Sequence, residues 1–150
     1  LVNCHTSTFD ATLPFWKILW PGRISPINSM SSMMLSSGYD MEIYRKYIPS
    51  FFCIKFNNTI VGVISGHRTQ ESEYRTRGLW IDESFRGRGL SKMLLNQIKI
   101  QATNEKCKIL WTIPRKTSLY SYEKFGFKKI GKFFNKNVEF GPNCYAIMEL

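Results

Sequence analysis

Residues 79–95 read LWIDESFRGRGLSKMLL, and the succession of elements in that run decides the fold. An apolar stretch ends in Asp82, Glu83 and Ser84, a polar turn that delivers the chain into two glycines and two arginines. From Leu90 onward, Met93, Leu94, Ile98 and Ala102 recur at helical spacing along one face, which predicts an amphipathic helix of about four turns. The unit is strand, Gly/Arg turn, helix. A helix start leaves its first N–H groups without intrahelical partners and carries roughly half a positive charge, so it prefers an anion. Gly87 and Gly89 permit positive φ and close backbone approach, while Arg86, Arg88 and Lys92 add full charges around the same point. Phosphate is the natural guest. Two other phosphate motifs fit less well. A Walker loop needs Gly-Lys followed by Ser or Thr, whereas Lys92 lies between Ser91 and Met93; a dinucleotide GxGxxG needs a third glycine where Lys92 stands. Nucleotide hydrolysis and hydride transfer are therefore disfavoured. The bland alternative is a Gly-rich strand-to-helix turn with surface arginines.

Upstream, FFCIKF, the pair Asn57 and Asn58, and TIVGVISGHR read as a hairpin, because asparagine tolerates the positive φ of a tight turn. Residues 74–81 make a third strand that leads into the turn. Downstream, KCKILWTIP is a largely apolar strand bounded by Pro114, SLYSYEKFGF a short helix closed by Gly126 with Phe127 packing back, and CYAIMEL a last strand. The N-terminal third has a different texture. Phe15, Ile18 and Leu19 recur at helical spacing before Trp20 and Pro21 stop the segment, with Pro14 expected in the first turn. Residues 20–38, rich in Pro, Gly, Ser and Met, predict a loop with one short helix over residues 30–35. Its methionines serve either as flexible core filling or as the wall of an adaptable pocket.

At 150 residues, with 43% hydrophobic and 15% aromatic content, the chain has the size of one domain with a substantial core, and it shows no internal repeat or linker. It has no apolar run long enough to span a membrane and no secretory leader pattern, so it reads as a soluble cytoplasmic protein without a membrane partner. Cys4, Cys53, Cys107 and Cys144 are far apart, with no CxxC and only His5 and His67 to assist. Metal-ligand spacing is absent, and reduced, mostly buried thiols are expected. The net charge of +10 is uneven: four Lys or Arg against three acids in residues 1–50, eight against four in 51–100, nine against four in 101–150. Such a field attracts nucleic acid, an acidic small molecule or a phosphorylated cofactor, unless it is only a solvated basic surface.

The run over residues 79–95 resembles the acetyl-CoA-binding motif of the GNAT superfamily of N-acetyltransferases, whose core reads Arg or Gln, two residues, Gly, one residue, then Gly or Ala. Arg86, Gly89 and Ser91 occupy those places. A second family signature, tyrosine followed by Glu-Lys, an apolar residue and Gly-Phe, is matched by YEKFGF over residues 122–127. The two stand in the family's order with a strand between them, and the order of elements matches from about residue 10 to the C-terminus. The resemblance implies an α/β fold with a mixed, mostly antiparallel sheet and helices on both faces. It also implies a CoA cleft where two parallel strands, ending near Ile81 and Pro114, splay apart, with acetyl-CoA as co-substrate and no metal.

By the same resemblance the pyrophosphate is gripped at Arg86, Gly87, Arg88, Gly89, Leu90 and Ser91, and the pantetheine arm pairs with the backbone of Leu79, Trp80 and Ile81 like an added strand. The acceptor amine attacks the thioester directly, so no enzyme nucleophile is required and positioning supplies much of the rate. Tyr122 is the general acid for the leaving sulfur, since a phenol of pKa near 10 stays protonated at neutral pH; its structural alternative is a core aromatic on a short helix. Glu73, placed before Arg86 at an offset resembling that of histone-type members, is the candidate base, with Glu71, His67 and a water chain as alternatives. The chain departs from the family twice. Ser91 stands where Gly or Ala is usual, and Arg115 stands where many members place an asparagine ahead of the tyrosine. Arg115, with Lys116, is then expected to meet a phosphate of CoA, and Ser118 is the family-typical small residue.

The N-terminal part varies most in the family and would form the acceptor side, through Trp16, Trp20, the methionines of residues 30–34 and the loop around Arg23. With 11 acids against 21 bases, cationic acceptors such as polyamines or basic tails are disfavoured. A small-molecule amine, including an amino acid, or an aminoacyl group on nucleic acid fits better, handled by a monomer or homodimer. Two other classes stay open. A basic nucleic-acid-binding module would bind any polyanion with steep salt dependence. A catalytically weak acyl-CoA-binding domain would draw its support from Ser91 and Arg115.

Overall fold

The computed structural model describes residues 3–23, 27, 41–136 and 138–150; the helix expected over residues 30–35 and its methionines lie outside them. Seven strands form one sheet: β1 (Asn3–Thr6), β2 (Ser50–Phe56), β3 (Thr59–Gln70), β4 (Glu73–Ile81), β5 (Ile109–Thr112), β6 (Lys128–Phe134) and β7 (Asn143–Glu149). Their spatial order is β1-β2-β3-β4-β5-β7-β6. Every neighbouring pair is antiparallel except β4 and β5. Between the strands run α1 (Phe9–Leu19), α2 (Met41–Lys46), α3 (Leu90–Asn104) and α4 (Leu119–Phe125). This is the mixed, mostly antiparallel α/β sheet expected.

The hairpin of β2 and β3 turns at Asn57 and Asn58, with φ of 50° and 64°, the doubly left-handed turn that matches strand twist. Alternation along these strands sends neighbouring side chains to opposite faces. Phe52, Ile54 and Ile64 enter a core with Leu94, Leu95 and Ile98 of α3 and Tyr122 of α4. Cys53 and Val63 enter a second core with Trp16, Trp20 and Trp80, covered by α1. Helices thus sit on both faces.

The expected position of Pro14 needs correction. Thr8 caps α1, its Oγ1 accepting from the Ala11 N–H at 3.1 Å, so the helix begins at Phe9 and Pro14 falls in the second turn rather than the first. The helix tolerates it because Asp10, whose carbonyl loses its partner, and Pro14 both lie on the exposed side, where water replaces the bond. Three further elements carried no sequence pattern. β1 and β6 are edge strands with mostly exposed or half-buried residues, and α2 is too short for periodicity to register.

Helix α3 lies close on β3 because Gly66 has no side chain. A Cβ there would sit 2.3 Å from Tyr74 Cε1 and 2.9 Å from Ile98 Cδ1. We expect Gly66→Ala to destabilise the fold by about 1–3 kcal/mol through overpacking. Urea unfolding should show a lower midpoint at an unchanged slope; an unaltered midpoint would mean that α3 is not seated on this glycine.

Candidate active site

The site begins with a fault in the sheet. Strands β4 and β5 keep parallel register only at Glu73↔Ile109, Tyr74↔Leu110 and Arg75↔Trp111. Beyond Arg75 they part, because β4 bulges. Across from β3, Ser65 pairs Arg77 but Val63 pairs Trp80, so Ile64 faces two residues, Gly78 and Leu79. Gly78 takes φ of 77°, and its carbonyl accepts from Trp16 Nε1 at 2.9 Å. A Cβ on Gly78 would lie 2.6 Å from that nitrogen, so both conformation and space demand glycine. Trp16, at 1% exposure, is therefore a strut beneath the bulge and not part of an acceptor pocket as its sequence position suggested. Leu79, Trp80 and Ile81 continue beside β3, while their opposite edge faces away from any pairing with β5. The Trp80 side chain is core, its ring stacked at 4.9 Å on Phe15, and its backbone pairs with Val63 of β3.

From Ile81 the chain enters a 3-10 turn, Glu83–Phe85, capped by Asp82 Oδ1 on the Ser84 N–H at 2.9 Å. Gly87 and Gly89 follow with φ of 76° and 77°. Gly89 is the N-cap of α3 and offers no side-chain oxygen, and the first helical turn contains no acid. The first intrahelical bond runs from Met93 N–H to Gly89 O, so the amides before it are left for a guest. Arg86 bends back to donate from Nε to Ile81 O at 3.2 Å, tying the turn to the strand end, and the Arg88 guanidinium lies over Phe85. Arg86, Gly87, Arg88, Gly89, Leu90 and Ser91 are thus brought to one point. Space over both glycines is open.

A cavity of about 160 Å³ occupies the splay between β4 and β5. Tyr122, Arg115, Ser118 and Leu79 line it, as do Arg75, Arg77, Thr112, Glu139 and Asn143, which sequence reasoning did not single out. Tyr122 is 7% exposed, and burial pushes its phenol up to about 12, opposed by the charges of Arg115 and Arg75, while its hydroxyl shares a hydrogen bond with the Thr112 side chain. Thr112 spends its own hydroxyl proton on Thr76 O at 2.9 Å, which leaves its oxygen to accept from the phenol. Arg115 reaches across the cavity mouth to donate from Nη2 to Leu19 O at 2.7 Å, with Phe140 under its guanidinium, and burial lowers its pKa.

Glu73 lies elsewhere. It opens β4 opposite Ile109 and does not line the cavity, nor does Glu71. His67 is fully buried, its Nε2 at 2.7 Å from Tyr47 O and its Nδ1 against Arg68 O, and burial lowers its pKa. The carboxylate that does line the cavity, Glu139, sits in the connection between β6 and β7, outside every motif. Arg75 and Arg77 did leave a signal: two arginines spaced by two inside an otherwise apolar strand. Among the described residues no group of His, Cys, Asp and Glu could hold a metal ion, and no helix is long and apolar enough to cross a membrane.

Comparison with known proteins agrees with this architecture. The model of the acetyltransferase (GNAT) family matches residues 20–127. No curated protein matches the sequence significantly. Among solved structures, a GNAT family acetyltransferase from Elizabethkingia anophelis with acetyl-CoA bound is 19% identical, with 99% of this chain and 98% of that one covered and a TM-score of 0.62. A GNAT family acetyltransferase from Staphylococcus aureus is 14% identical, with 99% of each chain covered and a TM-score of 0.72. An IAA acetyltransferase from Bacillus cereus is 14% identical over 100% of both chains, with a TM-score of 0.73. At these identities the likeness is one of fold.

The buried phenols set a pH dependence. Tyr122 and Tyr74 are both held neutral beyond the usual range by burial, whereas an unfolded chain ionises tyrosine near pH 10. Above that pH the unfolded state binds fewer protons than the folded one, so the stability they confer is fully present below pH 10 and is lost as pH rises toward 12. Unfolding followed from pH 9 to 12 should show this decline. Tyr122→Phe should remove up to about 1.4 kcal/mol per pH unit of its slope, and an unchanged slope would place the phenol in water.

Proposed function

This chain belongs to the acetyltransferase (GNAT) family, and on that premise we propose that it moves the acetyl group of acetyl-CoA to a small primary amine by direct attack within a ternary complex. One observation carries the reading: β4 leads into the uncapped start of α3, and where β4 parts from β5 the cavity is lined by Leu79 and Tyr122. Backbone amides with positive φ at Gly87 and Gly89, flanked by Arg86, Arg88 and Lys92, suit the pyrophosphate of CoA. The edge of residues 79–81 that β5 leaves uncovered suits the amide groups of the pantetheine arm, which would pair as an added strand, at Ile81 O in place of Arg86. That path delivers the thioester to the cavity.

There the amine nitrogen bonds to the carbonyl carbon, the C–S bond breaks, and the sulfur takes the phenolic proton of Tyr122. Rotation of the O–H away from Thr112 is all the acid requires. The tyrosinate left behind lies near Arg75 and Arg115, which favour it, and it regains the proton that the newly acylated nitrogen sheds, directly or through water, as the neutral amide forms. Glu73 is too far from the cavity lining to serve as base in this scheme. The work falls to solvent or to Glu139, and the arginines lower the proton affinity of a nearby amine. Ser91 occupies the first turn of α3 half-buried, where its amide serves as well as that of glycine or alanine.

Calorimetric titration with acetyl-CoA, ATP and NAD tests the co-substrate. Selective binding of acetyl-CoA, weakened about 10- to 100-fold by Arg86→Ala, is expected. Equal affinity for all three would reduce the turn to a general polyanion site. Tyr122→Phe should keep acetyl-CoA affinity and lower turnover by about 100-fold or more. Wild-type turnover in that variant would remove the tyrosine from the chemistry.

A further inference from the structure

The cavity carries a charge pattern that acetyl transfer by itself does not call for. Resting on the transferase reading above, we propose that the acceptor is a small amine bearing an anionic oxygen group, a carboxylate or a phosphate ester. Arg23, Arg75, Arg77 and Arg115 are the cage that receives the anion.

Among the described residues, four arginines converge on this space from three parts of the fold, against one carboxylate, Glu139. Arg75 and Arg77, two apart on β4, share a face of the sheet; Arg115 follows β5, and Arg23 follows α1. Aromatic faces hold them in place. Arg23 and Arg77 lie over Trp20 at 4.9 and 4.8 Å, Arg75 over Trp111 at 5.0 Å, and Arg115 over Phe140 at 4.9 Å. Stacking engages the face of a guanidinium, while its N–H donors radiate in the plane, the geometry that grips carboxylate or phosphate in pairs. Arg75 is only 5% exposed yet reaches the cavity wall, and a guanidinium cannot shed its charge there. A cation held at the wall of a hollow attracts an anion.

The same wall has a place for the amine. Asn143 is 8% exposed; its Nδ2 donates to Ile113 O at 3.1 Å, while its Oδ1 is buried without a hydrogen-bond partner. An entering N–H would satisfy it. The cavity of about 160 Å³ has room for a group the size of benzene, which bounds the part of the acceptor that enters it. The cationic surroundings also favour the unprotonated amine. An α-amino group, with pKa near 8 against about 10.4 for a lysine, needs the smaller push.

The test measures release of the CoA thiol with acetyl-CoA saturating and matched acceptors: small L-α-amino acids against their amides, and phosphoethanolamine against ethanolamine. The anionic member of at least one pair should lead by about 10- to 100-fold in kcat/KM, and the pair that shows the preference identifies carboxylate or phosphate as the anion. Arg77→Gln should raise KM for the favoured acid about tenfold or more, with kcat and acetyl-CoA affinity within about twofold, and Arg77→Lys should recover part of the loss. Turnover without preference in either pair would overturn the cage and leave the transferase standing. So would a fall in kcat at unchanged KM, which would assign Arg77 to the chemistry, or selective acetyl-CoA binding with no turnover of any acid. Failure to bind acetyl-CoA would sink the transferase reading, and the cage with it.

Discussion

The hydrogen bond from the Trp16 indole to Gly78 O fixes where the sheet opens. A parallel pair of strands has no internal reason to separate after three residues, since each further residue would add ladder bonds. The extra residue in β4 removes that option, and the indole beneath it holds the backbone in a left-handed turn that water would otherwise solvate in several ways. α1 is thereby more than a lid on one face. Its position decides the shape of the hollow on which the proposed chemistry depends, and Pro14, set on its outer side, leaves the inward row of Thr12, Trp16 and Leu19 undisturbed.

Burial acts in two directions on the charges around that hollow. It makes the Tyr122 phenol harder to ionise even though two arginines pull the other way, so desolvation wins over local charge at this atom. It lowers the proton affinity of Arg115 too, without approaching the range in which a guanidinium becomes neutral. A phenol that stays protonated thus sits among cations that stay charged. Arg75 and Arg115 act on the phenol and line the cavity as well, whereas Arg23 and Arg77 line the cavity without acting on the phenol.

Much of this architecture was legible in the order of residues. The Asn57-Asn58 turn, the apolar row of α3, the two-glycine entry and the YEKFGF helix each rest on a local rule about φ, period or capping, and local rules survive the loss of context. The edge strand β6 was not legible, because KKIGKFF alternates nothing: its lysines keep an exposed edge from pairing with another sheet, which is a requirement of position and not of period. The bulge at Gly78 was equally silent, since its cause lies in an indole 62 residues away. Glu73 shows how far counting reaches. An offset counted along a strand puts a residue on one face or the other, but a bulge resets the count, and the glutamate sits where β4 and β5 are still paired, away from the cavity lining. Glu139 and Asn143 come from a connection and a late strand that only the folded sheet brings beside Tyr122.

The two halves of the cleft are made of different material. The start of α3 and the edge of residues 79–81 present main-chain groups, which most side-chain replacements leave in place. The cavity wall presents side chains from α1, β4, β5 and the β6–β7 connection, each replaceable on its own. Replacement therefore bears on them unequally: the backbone half depends on a few positions such as Gly78, Gly87 and Gly89, while each side chain of the other half can change by itself. A lineage carrying this fold could exchange Arg77 or Glu139 and take up a new acceptor in a few steps without ever passing through a protein that has lost its grip on the donor.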